Sequence, residues 1–93
     1  MHEYDVTIVT GASKGIGESI VLELLSKPNN KVVLAARDLD KMNDIVANYN
    51  SDDYLIVPTD VSKELDVKKL MDLTYEKFNQ INYLINNAGY VDP

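Results

Sequence analysis

Apolar positions along the 93-residue chain change period several times, and each change marks an element. Tyr4 to Thr10 (YDVTIVT) predicts a buried strand with Val6, Ile8 and Val9, ending directly at Gly11. Ile16, Ile20, Val21, Leu24 and Leu25 then recur at helical spacing and predict one apolar helix face within 16–26, stopped by Pro28-Asn29-Asn30. Lys31 to Ala36 (KVVLAA) is an apolar run of strand length. Met42, Ile45, Val46 and Tyr49 predict a second amphipathic helix, capped by Asp38 or Asp40. After a polar turn at Asn50 to Asp53, Tyr54 to Thr59 (YLIVPT) reads as a third strand. Pro58 places it at an edge, where a missing N–H does no harm. Val67, Leu70, Met71, Thr74 and Phe78 describe a third helix, and Tyr83 to Ile85 a fourth strand running into Asn86-Asn87-Ala88-Gly89.

The order β-α-β-α-β-α-β, joined by right-handed crossovers, predicts a parallel sheet with helices on its faces. The fold class is therefore α/β, a Rossmann-type doubly wound sheet truncated after its fourth strand. Residues 1–93 form one partial dinucleotide-binding domain. In such a sheet Leu84 and Ile85 lie beside the first strand on one side and face nothing on the other. An open edge of that kind is a template for pairing. The expectation is that the isolated chain is marginal, partly molten, or self-associated through this fourth-strand edge.

Composition narrows the partners. With 45% apolar and 26% charged residues the chain is ordinary globular material, not a disordered one. It has no cysteine, so neither disulfides nor thiolate metal sites enter the picture. The longest apolar runs fall far short of a membrane span, and Met1-His2-Glu3-Tyr4-Asp5 has no basic stretch ahead of an apolar one. A net charge of −6 is a poor match to a nucleic-acid backbone. The expected setting is cytoplasmic, with neither membrane nor nucleic acid as partner.

All four glycines fall in two short stretches, Gly11, Gly15 and Gly17 near the start and Gly89 near the end. The first stretch, Thr10-Gly11-Ala12-Ser13-Lys14-Gly15-Ile16-Gly17, leaves a strand and enters a helix, the context in which a glycine-rich turn holds phosphate. Gly11 allows a tight turn, and Ser13 to Ile16 present backbone N–H groups at a helix N-terminus, where the dipole favours an anion. Gly17 lets the helix pack against the strand, or lets a ligand approach the backbone. The spacing is G-x3-G-x-G, and no Gly-Lys-Ser/Thr follows, so this is not a nucleoside-triphosphate P-loop.

TGASKGIG at 10–17, Asp60-Val61 after the third strand and NNAG at 86–89 after the fourth together resemble the short-chain dehydrogenase/reductase family, in order over the entire chain. The resemblance implies a nicotinamide dinucleotide as cofactor. It places Gly11, Ser13, Lys14, Gly15, Ile16 and Gly17 around the phosphates and adenosine ribose, and Asp60 and Val61 at the adenine. Asn87, Ala88 and Gly89 would line the cofactor near its ribose, while Asn86 would tie strands together.

Charge argues for one cofactor over the other. An acidic residue about 20 positions past the turn takes the ribose 2′-OH of NAD, and a basic one suits a 2′-phosphate. Here the second strand ends Ala35-Ala36-Arg37-Asp38, so Arg37 comes first and, with Lys14, offers two cations in an acidic chain. NADP(H) is expected over NAD(H). Asp38 is either a helix N-cap or a competing partner for a ribose hydroxyl.

The family's chemistry, hydride transfer assisted by a serine and a Tyr-x-x-x-Lys pair, has no counterpart here. Tyr4, Tyr49, Tyr54, Tyr75, Tyr83 and Tyr90 all lack a lysine four residues on. The resemblance implies no catalytic residue, and the 93-residue chain alone is expected to be inactive. His2 is a lone terminal histidine, and Asp52-Asp53 reads as turn polarity, so no metal site is expected. The charges of Ser62 to Lys69 read as the solvated first turn of the third helix. The leading reading is the NADP(H)-binding half of an oxidoreductase that interconverts a carbonyl and an alcohol. The alternatives are a non-catalytic dinucleotide-binding or protein-interaction fragment, and a binder of an S-adenosylmethionine-type nucleotide.

Overall fold

A computed structural model describes residues 3–87. In chain order these residues form β1 (Asp5–Thr10), α1 (Gly15–Leu25), β2 (Asn30–Ala36), α2 (Leu39–Val46), a 3-10 turn (Ser51–Asp53), β3 (Tyr54–Pro58), α3 (Glu64–Phe78) and β4 (Tyr83–Ile85). The strands make a parallel sheet in the order β3-β2-β1-β4. Thr10 lies opposite Ala35, Ala36 opposite Pro58, and Val9 opposite Ile85, so all four strands end at one rim of the sheet.

The register explains the hydrophobic pattern. β1 and β2 are interior strands with helices on both faces, which is why KVVLAA carries no polar alternation after Lys31. Val32, Leu34 and Ala36 pack with Val9, Val21, Met42, Ile45 and Val46 on the face of α1 and α2. Val33 and Ala35 point the other way, joining Val6, Ile8, Val57, Leu70 and Phe78 under α3. β3 is an outer strand, as Pro58 predicts. The Thr59 N–H donates to Ala36 O at 2.8 Å, so the alternation of the strand turns position 58 to the open side.

The helices correct two details of the pattern. Ile16 is 71% exposed and does not belong to the buried face of α1. Gly17 and Val21, one turn apart, form the buried stripe, because only a residue without a side chain lets the first turn lie directly on the backbone of Gly11. Ile20 and Leu24 flank that stripe half-buried, and Ile16 is the end of the flank, beyond the sheet's cover. Helix α2 stops at Val46, so Tyr49 lies in the following turn, where its N–H donates to Val46 O at 2.9 Å. Asp38, not Asp40, is its N-cap: the carboxylate accepts the Lys41 N–H at 3.0 Å. At the end of α3, Asn79 takes a left-handed conformation (φ 63°), a common helix terminator for asparagine.

Side chains extend the short pairing of β4. Asn82 Oδ1 accepts the Val6 N–H at 2.7 Å while the Asn82 N–H donates to Val6 O at 2.9 Å. Gln80 Nε2 donates to Tyr4 O and to Asn82 Oδ1, fixing that amide in place. At the other end Thr10 Oγ1 donates to Asn86 Oδ1 at 3.1 Å, so Asn86 ties β1 to the end of β4. Among the described residues no strand pairs with the far side of β4, and Tyr83 and Leu84 are more than half exposed.

Candidate functional site

The C-terminal rim of the sheet carries a cleft of about 880 Å³. β1 contributes Gly11, Ser13 and Lys14 through the turn that leads into α1. β2 contributes Ala35, Ala36, Arg37 and Asp38, with Lys41 from the first turn of α2. The segment after β3 adds Thr59, Asp60, Val61 and Ser62, and the end of β4 adds Asn87. The chain leaves β1 toward β2 and later returns through α3 to place β4 on the other side of β1. This is the reversal of winding direction at which open α/β sheets bind ligands.

The glycine-rich turn has the backbone its composition implies. Gly11 (φ 62°) and Gly15 (φ 60°) both occupy the left-handed region, which costs an L-residue with a side chain about 1–2 kcal/mol. Gly17 serves contact instead. A Cβ there would lie 2.1 Å from Gly11 O and 2.6 Å from Asn87 Nδ2, so α1, the turn and the end of β4 meet at this atom. Asn87 Nδ2 donates to Gly11 O at 3.3 Å, completing the junction. Helix α1 begins at an extended Lys14 whose side chain caps nothing. Its first N–H groups thus receive no acceptor from the capping residue, an arrangement suited to an anion.

Three cations, Lys14, Arg37 and Lys41, line the cleft against two carboxylates, Asp38 and Asp60. Among the described residues neither Lys14 nor Arg37 has a carboxylate within ion-pair distance, whereas Lys41 Nζ lies 3.7 Å from Glu18 Oε1. Both acidic groups already have internal work. Asp38 caps α2, and Asp60 Oδ1 accepts the Ser62 hydroxyl at 2.6 Å and the Ser62 N–H at 3.0 Å. Those two hydrogen bonds, the hydroxyl first, hold the Asp60 carboxyl below its usual range, with a smaller contribution from the Arg37 charge. The Asp60 N–H donates to Asp66 Oδ2 at 2.9 Å, fixing the segment to α3.

Of the residues singled out from the sequence, Gly11, Ser13, Lys14, Arg37, Asp60, Val61 and Asn87 meet around this cleft. Gly15 and Ile16 line a shallower apolar depression on the flank of α1 with Ser19, Ile20, Glu23 and Leu24. Gly17 lies buried beneath the turn. Ala88 and Gly89 fall outside the described residues. Lys41, Thr59 and Ser62 also line the cleft without having been singled out. Asp60-Val61-Ser62 was legible as an aspartate turn, since aspartate binds the backbone two residues on. Lys41 follows from the choice of Asp38 as cap, which puts position 41 over the end of β2.

Residues 5–93 match the short chain dehydrogenase family, and the chain belongs to it. It is 45% identical over 84 residues to an uncharacterized oxidoreductase of Staphylococcus saprophyticus, covering 90% of this chain and 34% of that protein. It is also similar to the NADPH-bound carbonyl reductase from chicken fatty liver (TM-score 0.82, 27% identity, 99% of this chain and 37% of that one). A third likeness is to the 3-ketoacyl-(acyl-carrier-protein) reductase of Brucella melitensis complexed with NADH (TM-score 0.78, 32% identity, 88% and 33%). The chain thus spans about a third of the length of these relatives. Among the described residues no helix is long and apolar enough to cross a membrane, and no group of three or more His, Asp or Glu side chains could hold a metal ion.

Proposed function

We propose that this chain is the NADP(H)-binding part of a cytoplasmic oxidoreductase that interconverts a carbonyl and an alcohol by hydride transfer. The observation that carries the cofactor choice is that Arg37 and Lys14 line the same cleft while Asp38 Oδ1 caps α2. A 2′-phosphate would meet two cations without a carboxylate partner among the described residues, and the nearby acid, Asp38, has one of its two carboxylate oxygens taken by the helix cap. The residues fit the rest of the dinucleotide as well. The start of α1 offers backbone N–H groups to the pyrophosphate, with Gly11, Ser13, Gly15, Ile16 and Gly17 shaping the turn. Asp60 and Val61 flank the adenine, and Asn87, with Ala88 and Gly89 after it, borders the ribose.

The nicotinamide, when bound, supplies the hydride. This chain's own part is to bind and orient it: none of Tyr4, Tyr49, Tyr54, Tyr75 and Tyr83 is followed four positions on by lysine, so none of them is given the proton-transfer role. Support for the oxidoreductase reading comes from family membership and from the relatives named above. Titration with NADPH, NADH and S-adenosylmethionine tests it, with NADPH expected to bind tightest. Tightest binding of NADH would overturn the NADP(H) preference. Tightest binding of S-adenosylmethionine would sink the oxidoreductase reading altogether.

A further inference from the structure

We propose that the outer face of α3 is a docking surface for the same face of a second copy of this chain, packed antiparallel about a two-fold axis. The pattern along the helix carries the inference. Leu65, Lys68, Asp72 and Tyr75 follow one another at intervals of three, four and three, so they form one stripe along α3. Leu70, Thr74 and Phe78 bury the other side of the helix against the sheet. Leu65 is 79% exposed and Tyr75 53%, although both are large side chains with apolar bodies. Between them Lys68 Nζ and Asp72 Oδ2 pair at 2.7 Å, with both side chains mostly exposed.

The stripe is complementary to itself when reversed. Two antiparallel copies of α3 that meet at the level of Leu70 bring Leu65 opposite Tyr75 of the second copy and Lys68 opposite its Asp72. The two-fold axis makes each contact twice. Parallel helices would instead set lysine against lysine and carboxylate against carboxylate. The Lys68–Asp72 pair does not have to open in the reversed arrangement. Each ammonium then stands between its own carboxylate and that of the other copy, in a ring of four alternating charges. Glu64 and Glu76 also come level, but on opposite flanks of the stripe, where they do not meet. Four side chains a copy are far fewer than the roughly 20–30 residues a side of a standard interface, so the contact is weak and fills only at high concentration. It uses no residue of β4 and is separate from pairing along that strand.

Sedimentation equilibrium tests the proposal, with Leu84→Lys in every sample to disfavour pairing along β4. The mass of the Leu84→Lys chain should climb from 10.4 kDa toward twice that value as concentration rises. Adding Lys68→Asp sets carboxylates opposite each other across the contact, and adding Asp72→Lys instead sets ammonium groups opposite each other. Each change should weaken the dimer about tenfold. An equimolar mixture of the two variants should restore it, because each then meets the opposite charge on the other. Both positions are exposed, and matching circular dichroism spectra would show that the fold is kept. A Leu84→Lys chain that stays monomeric would overturn the proposal. So would single variants that associate as tightly as their parent, or a mixture that associates no better than either variant alone.

Discussion

Gly17 has no room for a side chain. An alanine there would press its methyl against Gly11 O, a backbone atom with nowhere to move, and against the amide of Asn87. Gly17→Ala is expected to cost about 2–3 kcal/mol, as overpacking of a tight contact does. Gly15→Ala meets no atom within 4 Å and suffers only its left-handed φ, worth about 1 kcal/mol. Urea denaturation of the two variants should rank them in that order, and equal midpoints would refute the close-contact role. Ser62 gives a second test at this scale. Its hydroxyl and N–H lower the Asp60 carboxyl, so this contribution to stability is present above the ordinary aspartate value and is lost as the pH falls through the depressed one. Ser62→Ala should raise the Asp60 pKa toward its ordinary value, read by carboxyl-carbon NMR, and an unmoved value would count against the assignment. The glycine spacing was legible in the sequence because left-handed turns exclude most side chains. The duty of Gly17 was not, because its contact atoms, Gly11 O and Asn87 Nδ2, come from two separate parts of the chain.

At the scale of elements, Asn82 extends the three-residue pairing of β4 with β1. The Asn82 amide takes the place of the next rung of the ladder by accepting the Val6 N–H. Asn82→Ala would leave that donor without its acceptor and cost about 1–3 kcal/mol. Hydrogen exchange should show the Val6 amide losing protection ahead of those on the β1–β2 side; uniform loss would refute the local role. Strand and helix identities were legible from periodicity alone, since each interior strand is apolar on both faces and each helix carries a buried stripe. The start of the first helical stripe was not: Ile16 shares the spacing of Ile20 and Leu24 but projects past the sheet. The choice between Asp38 and Asp40 as cap likewise needed the path of the chain off β2, which only the fold supplies.

At the scale of the whole sheet, the decisive feature among the described residues is the side of β4 away from β1, which no described strand pairs and where Leu84 is 52% exposed. Exposed edges of this kind pair with other chains, and natural sheets blunt them with lysine. The isolated 93-residue chain is expected to self-associate, with a weight-average mass in sedimentation equilibrium that climbs above 10.4 kDa as concentration rises. Leu84→Lys should lower that mass toward the monomer. A chain that stays monomeric at every concentration, with a cooperative melt, would refute the expectation.

The sequence by itself determined the order of strands and helices, the edge position of β3 and the glycine-built geometry of the first turn. Each depends on residues close together in the chain, where periodicity, proline and glycine act locally. Only the tertiary structure decided which distant groups share a cleft. Lys14, Arg37, Lys41 and Asp60 lie on three separate segments of the chain, and parallel pairing in register brings those segments to one rim of the sheet. It also decided that Asp38 and Lys41 both border the cleft while Asp38 Oδ1 caps α2, because the direction of a side chain is set by the path of the backbone leaving β2, not by the identity of the residue.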